Sequence, residues 1–190
     1  MPVKTDQTNE VYHLDPALSA SGAKTIAMQS PAHFKYAKRK VTTAFDLGTA
    51  VHTLVLEPHL SSTVWCGPET RRGSAWKDQY AAAAEEGAIL LTDGDYQIAV
   101  DMANSVRSNA AAMELLGGDL LVEASIFSHD EATGVDMRCR PDGWRKDIAA
   151  VIDLKTTIDP SPYGFAKQCA NFGYHLQDQF YRRCMLNDGH

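Results

Sequence analysis

The chain has 190 residues, of which 44% are apolar and 22% charged. Such values belong to an ordinary globular protein and exclude a collagen-like, disordered or disulfide-dense chain; the length is that of one domain. Lys and Arg number 18 against 24 Asp and Glu, a net charge of −6. Contact with nucleic acid would therefore have to come from a local basic patch or from bound metal ions.

No stretch reaches the ~20 apolar residues of a membrane helix. The polar start MPVKTDQTNEVYHLD lacks the apolar core of a signal peptide. The expectation is a cytoplasmic protein with no membrane contact. Cys66, Cys139, Cys169 and Cys184 stand in no C-x-x-C spacing. That argues against a zinc ribbon and for reduced, buried thiols.

In chain order, residues 1–18 read as a loose or extended segment. Serines from Ser19 onward suit the cap of a helix over about 20–29. Ser30 caps and Pro31 opens a second helix through Lys38, ending in the basic run Lys38-Arg39-Lys40. The segment FDLGTAVHTLVLE, 45–57, has helical length, with Leu47, Val51, Leu54 and Val55 on one stripe and Pro58 closing it. Residues 61–74 read as a loop carrying Arg71, Arg72 and Gly73. An Ala-rich helix over about 75–86 and an apolar strand over 88–92 follow. A long helix then runs from an Asp93 cap to about Leu116, where Gly117-Gly118 ends it.

From Leu120 the texture turns to β. Strands are predicted over 120–129, 135–145 (interrupted by Pro141) and 150–157, joined by four-residue turns at 131–134 and 146–149. Helices return over about 162–171 and 174–187. Helices, a three-strand meander and helices again predict a single α/β domain with a mixed central β-sheet.

The segment AVIDLKTT is the most informative. Alternation along a strand puts Val151, Asp153, Lys155 and Thr157 on one face, with Ile152 and Leu154 on the other. The turn at 146–149 sets Asp142 opposite Asp153 and Arg140 opposite Lys155. Facing carboxylates repel at that distance unless a divalent cation such as Mg²⁺ sits between them. The turn at 131–134 adds Glu123 opposite Asp142; a loop one residue different would turn Glu123 away. The competing reading is a hydrated polar face.

Arg140-Pro141-Asp142, followed by Asp153-Leu154-Lys155, resembles the PD-(D/E)XK nuclease core. Gly48-Thr-Ala-Val-His52 resembles the upstream Gly-x-x-x-His element of its exonuclease branch, and Gln177-Asp-Gln-Phe-Tyr181 the downstream Gln-x-x-x-Tyr element. More narrowly, ALSASGAKTIAMQSPAHF and FDLGTAVHTLVLEP look like exodeoxyribonuclease VIII, the RecE type of phage-recombination exonuclease. The resemblance spans roughly residues 12–185. It implies a restriction-endonuclease-like core and Mg²⁺-dependent (Mn²⁺ as substitute) 5′-to-3′ digestion of one strand from duplex DNA ends. The 3′ single strand that remains is for an annealing protein, and the family assembles into a homo-oligomeric ring. RecE-type domains usually continue past the Gln-x-x-x-Tyr helix, so a chain stopping at His190 is expected to be trimmed or a compact variant.

The resemblance also implies roles. Asp142 and Asp153 hold metal, with the Leu154 carbonyl as a further ligand. Lys155 orients or deprotonates the attacking water. His52 is a metal ligand or stands beside one, with Gly48 on the same helix face permitting close approach. Gln177 and Tyr181 contact the DNA backbone or the lysine. Glu123 is a ligand through water or a plain surface acid. Arg71, Arg72 and Lys77 are candidate phosphate contacts, as are Lys35, Lys38, Arg39 and Lys40; a solvated loop is the alternative. Tyr36, Trp65 and Trp76 either stack on DNA ends or pack. The cysteine spacings do not fit the iron–sulfur pattern of some relatives, so no cluster is expected. Two rivals remain at this stage: a DNA-binding or regulatory relative that does not cut, and an endonuclease on the same core.

Overall fold

A computed structural model describes residues 3–37 and 43–189. The chain packs as two compact units. One is built from 1–39, 121–144 and 157–190, the other from 40–120 and 145–156.

The first unit opens with α1 (Asn9–Leu14), β1 (Leu18–Ser19), α2 (Ala20–Met28) and α3 (Pro31–Tyr36). Each helix start is capped as its residues require. Thr8 accepts from the Val11 N–H, Ser19 from Gly22 and Ser30 from His33, at 3.2 or 3.3 Å. The segment expected to be loose is thus structured over its described part. Lys4 and Ser125 exchange backbone hydrogen bonds at 3.0 and 2.8 Å. Tyr12 is buried and lies under the Arg138 guanidinium, 4.6 Å from ring centre to Cζ. Arg138, carried by a later strand, supplies a partner that local sequence does not announce.

The second unit follows with α4 (Thr43–Leu56), a 3₁₀ turn (Pro58–Thr63), β2 (Val64–Cys66), α5 (Ser74–Glu85), β3 (Ile89–Leu91), α6 (Asp93–Ser108) and α7 (Ala110–Leu115). Its core gathers Ala50, Val51, Leu54, Val64, Leu91, Ala99 and Ala103. Alanines on α4 and α6 let these helices approach closely. Three expectations change. The stretch read as a loop holds β2, which pairs in parallel with β3, Val64 opposite Ile89. Thr92, not Asp93, caps α6 by accepting from Asp95 N–H at 3.2 Å. The long helix also divides at Asn109, whose side chain accepts from Ala112 N–H at 3.0 Å and starts α7.

The remaining elements are β4 (Leu120–Val122), β5 (Ile126–Asp130), β6 (Val135–Cys139), β7 (Gly143–Arg145), β8 (Ala150–Ile152), α8 (Pro162–Phe172) and α9 (Tyr174–Asn187). One sheet has the order β1-β6-β5, another β4-β7-β8. The first is mixed: β1 runs parallel to β6, β5 antiparallel. The architecture is the expected mixed α/β, and the first hairpin keeps its expected register, Ile126 opposite Cys139 and Asp130 opposite Val135. The long strands of the meander are each cut short. Glu123 has a φ of 52° and ends β4. The buried Pro141, lacking an N–H, separates β6 from β7. The third strand stops at Ile152 rather than Thr157. Ile126, Met137, Cys139, Trp144, Cys184 and Met185 form the core of the first unit. No helix among the described residues is long and apolar enough to cross a membrane.

Asp130 ties the hairpin to α9. It accepts from Thr133, from Arg183 at 2.8–3.1 Å and from Asn187 at 3.2 Å. The Thr133 hydroxyl and then the Arg183 and Asn187 groups hold its carboxyl below the ordinary value of 3.8, against the opposing effect of burial. A lowered folded value means that its contribution is present above pH 3.8 and is lost as pH falls through the folded value. Asp130→Asn is therefore expected to lower the melting temperature by several degrees at pH 7. The gap to the unmodified chain should narrow below about pH 4, as thermal melts across pH would record.

Candidate active site

The motif residues fall in two groups, one in each unit. In the second unit, His52 stands on α4 between the core residues Val51 and Leu54. Its Nε2 lies 2.9 Å from the Leu154 carbonyl oxygen. A carbonyl only accepts, so Nε2 carries the hydrogen. The Leu154 side chain packs against the α4–α6 core, and Asp153 and Lys155 on either side of it form an ion pair. All three are half-buried. A Cβ added at Gly48 would meet Thr156 Oγ1 at 3.7 Å, an ordinary contact. Close approach to the described residues is therefore not what keeps a glycine there.

In the first unit, carboxylate oxygens of Glu123 and Asp142 lie within 4.8 Å of one another. The Glu123 N–H donates to the Asp142 carbonyl at 3.2 Å, which carries the hairpin register on past the end of β5. Gln177 and Tyr181, one turn apart on α9, make a relay. Lys24 Nζ donates to Gln177 Oε1 at 3.2 Å, Gln177 Nε2 to the Tyr181 hydroxyl at 3.0 Å, and that hydroxyl to the Arg140 carbonyl at 3.2 Å. The Gln-x-x-x-Tyr element thus holds the main chain two residues before Asp142.

The Arg140 guanidinium is buried. It donates to Ser125 Oγ (2.8 Å), Asn9 Oδ1 (2.7 Å) and the Gln7 carbonyl (2.9 Å), with Nη1 3.7 Å from Glu123 Oε2. Burial pulls it below the ordinary guanidinium value, and Glu123 opposes that shift.

The basic candidates differ in their surroundings. Arg71 bridges Asp46 at 3.1 Å and Asp95 at 3.2 Å and lies over Trp76. Arg72, Lys77 and Lys35 are exposed, and Lys35 Nζ lies 5.2 Å from the Tyr36 ring centre. Lys38, Arg39 and Lys40 lie outside the described residues. Trp76 is buried, while Tyr36 is exposed. Cys139 and Cys184 are buried and Cys66 exposed; a hydrogen bond with Cys184, then burial, pushes the Cys139 thiol up. Sequence reasoning missed Lys24 and the part played by Arg140. Nothing local marks Lys24, whose partner Gln177 is 153 residues away.

The family model for a PDDEXK-like domain of unknown function, DUF3799, matches residues 19–188. The chain belongs to this PDDEXK-like family. No curated protein matches it. A PDDEXK-like domain is of the PD-(D/E)XK nuclease superfamily, whose members usually use divalent metal ions.

The residues fit such an ion. The 2.9 Å between His52 Nε2 and the Leu154 oxygen is a hydrogen-bond distance, so this nitrogen would serve as a ligand only in the tautomer that carries the hydrogen on Nδ1. In each unit the motif supplies carboxylates, Glu123 and Asp142 in the first and Asp153 in the second, the oxygen ligands that hard cations take.

Two substitutions check the geometry. Tyr181→Phe removes the bond to the Arg140 carbonyl and is expected to cost about 1 kcal/mol in urea unfolding. Gly48→Ala, placed in mid-helix with room for a methyl group, is expected to fold and to gain about 0.5–1 kcal/mol in the same assay.

Proposed function

We propose that this chain is a metal-dependent DNA exonuclease of the RecE type. It degrades one strand of linear duplex DNA in the 5′-to-3′ direction and leaves 3′ single-stranded tails for an annealing partner. It works in the cytoplasm as a homo-oligomeric ring. One observation carries the reading. Each outlying motif is hydrogen-bonded to one half of the nuclease motif: His52 of Gly-x-x-x-His to Leu154 of Asp-x-Lys, and Tyr181 of Gln-x-x-x-Tyr to Arg140 of Arg-Pro-Asp. Four elements chosen only for packing have no reason to meet in these pairs.

In this reading Asp142, Asp153, His52 and the Leu154 carbonyl would hold the metal, with Glu123 acting through water. A bound divalent ion supplies charge stabilisation for the attacking and leaving oxygens of an in-line phosphoryl displacement. Lys155 does the rest of the local work. Its ammonium, oriented by Asp153, directs the attacking water and offsets phosphate charge. Gln177 and Tyr181 keep the Arg-Pro-Asp turn in place, and Arg72 and Lys77, exposed on the loop and on α5, meet the phosphates of the incoming strand.

Asp153→Ala is expected to cut Mn²⁺- or Mg²⁺-supported digestion of end-labelled linear duplex by about 10²-fold or more, with the far-ultraviolet circular dichroism unchanged. Cleavage that survives in this variant refutes the assignment. Closed circular DNA should resist the unmodified chain; nicking of circles would mark an endonuclease. Folded protein that binds duplex ends without cutting them, with or without metal, would mark the non-cleaving relative.

A further inference from the structure

We propose that Arg140 is a positioning residue of the site: clamped by the N-terminal segment, it sets the Glu123 carboxylate and the peptide leading to Asp142. The proposal rests on the reading of Glu123 and Asp142 as metal-holding acids.

The clamp is complete. Nε is taken by Ser125, Nη1 by Asn9 and Nη2 by the Gln7 carbonyl, at 2.7–2.9 Å. The plane of the fork lies over Tyr12, 4.2 Å from ring centre to Cζ. A guanidinium held at three nitrogens and one face has no rotamer freedom left. Glu123 is the carboxylate paired with it, 3.7 Å away.

Glu123 itself sits in the left-handed region at φ 52°, a conformation that costs a non-glycine residue about 1–2 kcal/mol and persists only where its surroundings impose it. The imposed contacts close a loop. Arg140 faces the Glu123 carboxylate, the Glu123 N–H reaches the Asp142 carbonyl, and Asp142 returns to Arg140 through Pro141, whose ring fixes φ. The Arg140 carbonyl is anchored from the opposite end by Tyr181.

Stability alone does not call for this arrangement. Arg140 is buried while the Glu123 side chain keeps 35% of its exposure; a partly solvated pair adds little stability, so a charge placed here is better explained by orientation. Arg138 provides the contrast. It also lies on Tyr12, and its Nε holds the Ala17 carbonyl at 2.9 Å, so it fastens the same segment at another point.

Calorimetric Mn²⁺ titration of the full chain tests the proposal, with metal-free melting temperatures measured alongside. Partners that orient metal ligands typically contribute 10–100-fold in affinity. Arg140→Lys, which keeps the charge and loses the fork, is expected to weaken Mn²⁺ binding by about that much. Asn9→Ala, remote from the acids, should weaken it in the same direction by a smaller factor while remaining folded. It decides the matter if Arg140→Lys does not fold. Arg138→Lys should lower the melting temperature and leave Mn²⁺ affinity within twofold. Folded Asn9→Ala or Arg140→Lys with unmodified affinity overturns the positioning role alone. Arg138→Lys weakening Mn²⁺ as much as Arg140→Lys overturns it too, since general loosening would then suffice. No Mn²⁺ heat from the unmodified chain removes the metal reading beneath it.

Discussion

The Leu154 carbonyl is where the second unit meets its chemistry. β8 ends at Ile152, so the polar groups of the next residues have no strand ladder to satisfy them. Leu154 answers with both halves of the residue. Its side chain enters the α4–α6 core, and its carbonyl takes the hydrogen of His52 Nε2. With Leu154 fixed at two points, Asp153 and Lys155 are held on either side of it as an ion pair. A strand continuing to Thr157 would have spent that carbonyl on a neighbouring strand.

The first unit solves the matching problem differently. There the Arg-Pro-Asp turn is gripped through Arg140, by its side chain from the N-terminal segment and by its carbonyl from α9. Both groups use main-chain carbonyls as fixed points and side chains from distant helices as the donors. A backbone acceptor is a good anchor, because its position follows from the chain path and not from a rotamer.

Much of the fold was legible because local chemistry marks it. Ser19 and Ser30 announce α2 and α3, and Pro58 closes α4. The first hairpin register followed from its turn length alone. What escaped was short or distant. Strands of two or three residues such as β1 and β2 have no periodicity to read. The break at Asn109 depends on a side chain competing with the helix ladder. In the site, contiguous motifs named His52, Asp142, Asp153, Lys155, Gln177 and Tyr181. Lys24 and Asn9 join only through tertiary contact, at separations of 153 and 131 residues.

The parallel pairing of β1 with β6 has a practical consequence. β1 contributes two residues, Leu18 and Ser19, opposite Met137 and Arg138. They cover the side of β6 that β5 leaves open. An expression design that trims residues 1–19 as a dispensable leader would bare a row of strand amides and carbonyls, ready to recruit another chain edge to edge. Aggregation of such a trimmed protein would then reflect an uncovered sheet margin, alongside the lost grip of Gln7, Asn9 and Tyr12 on Arg140.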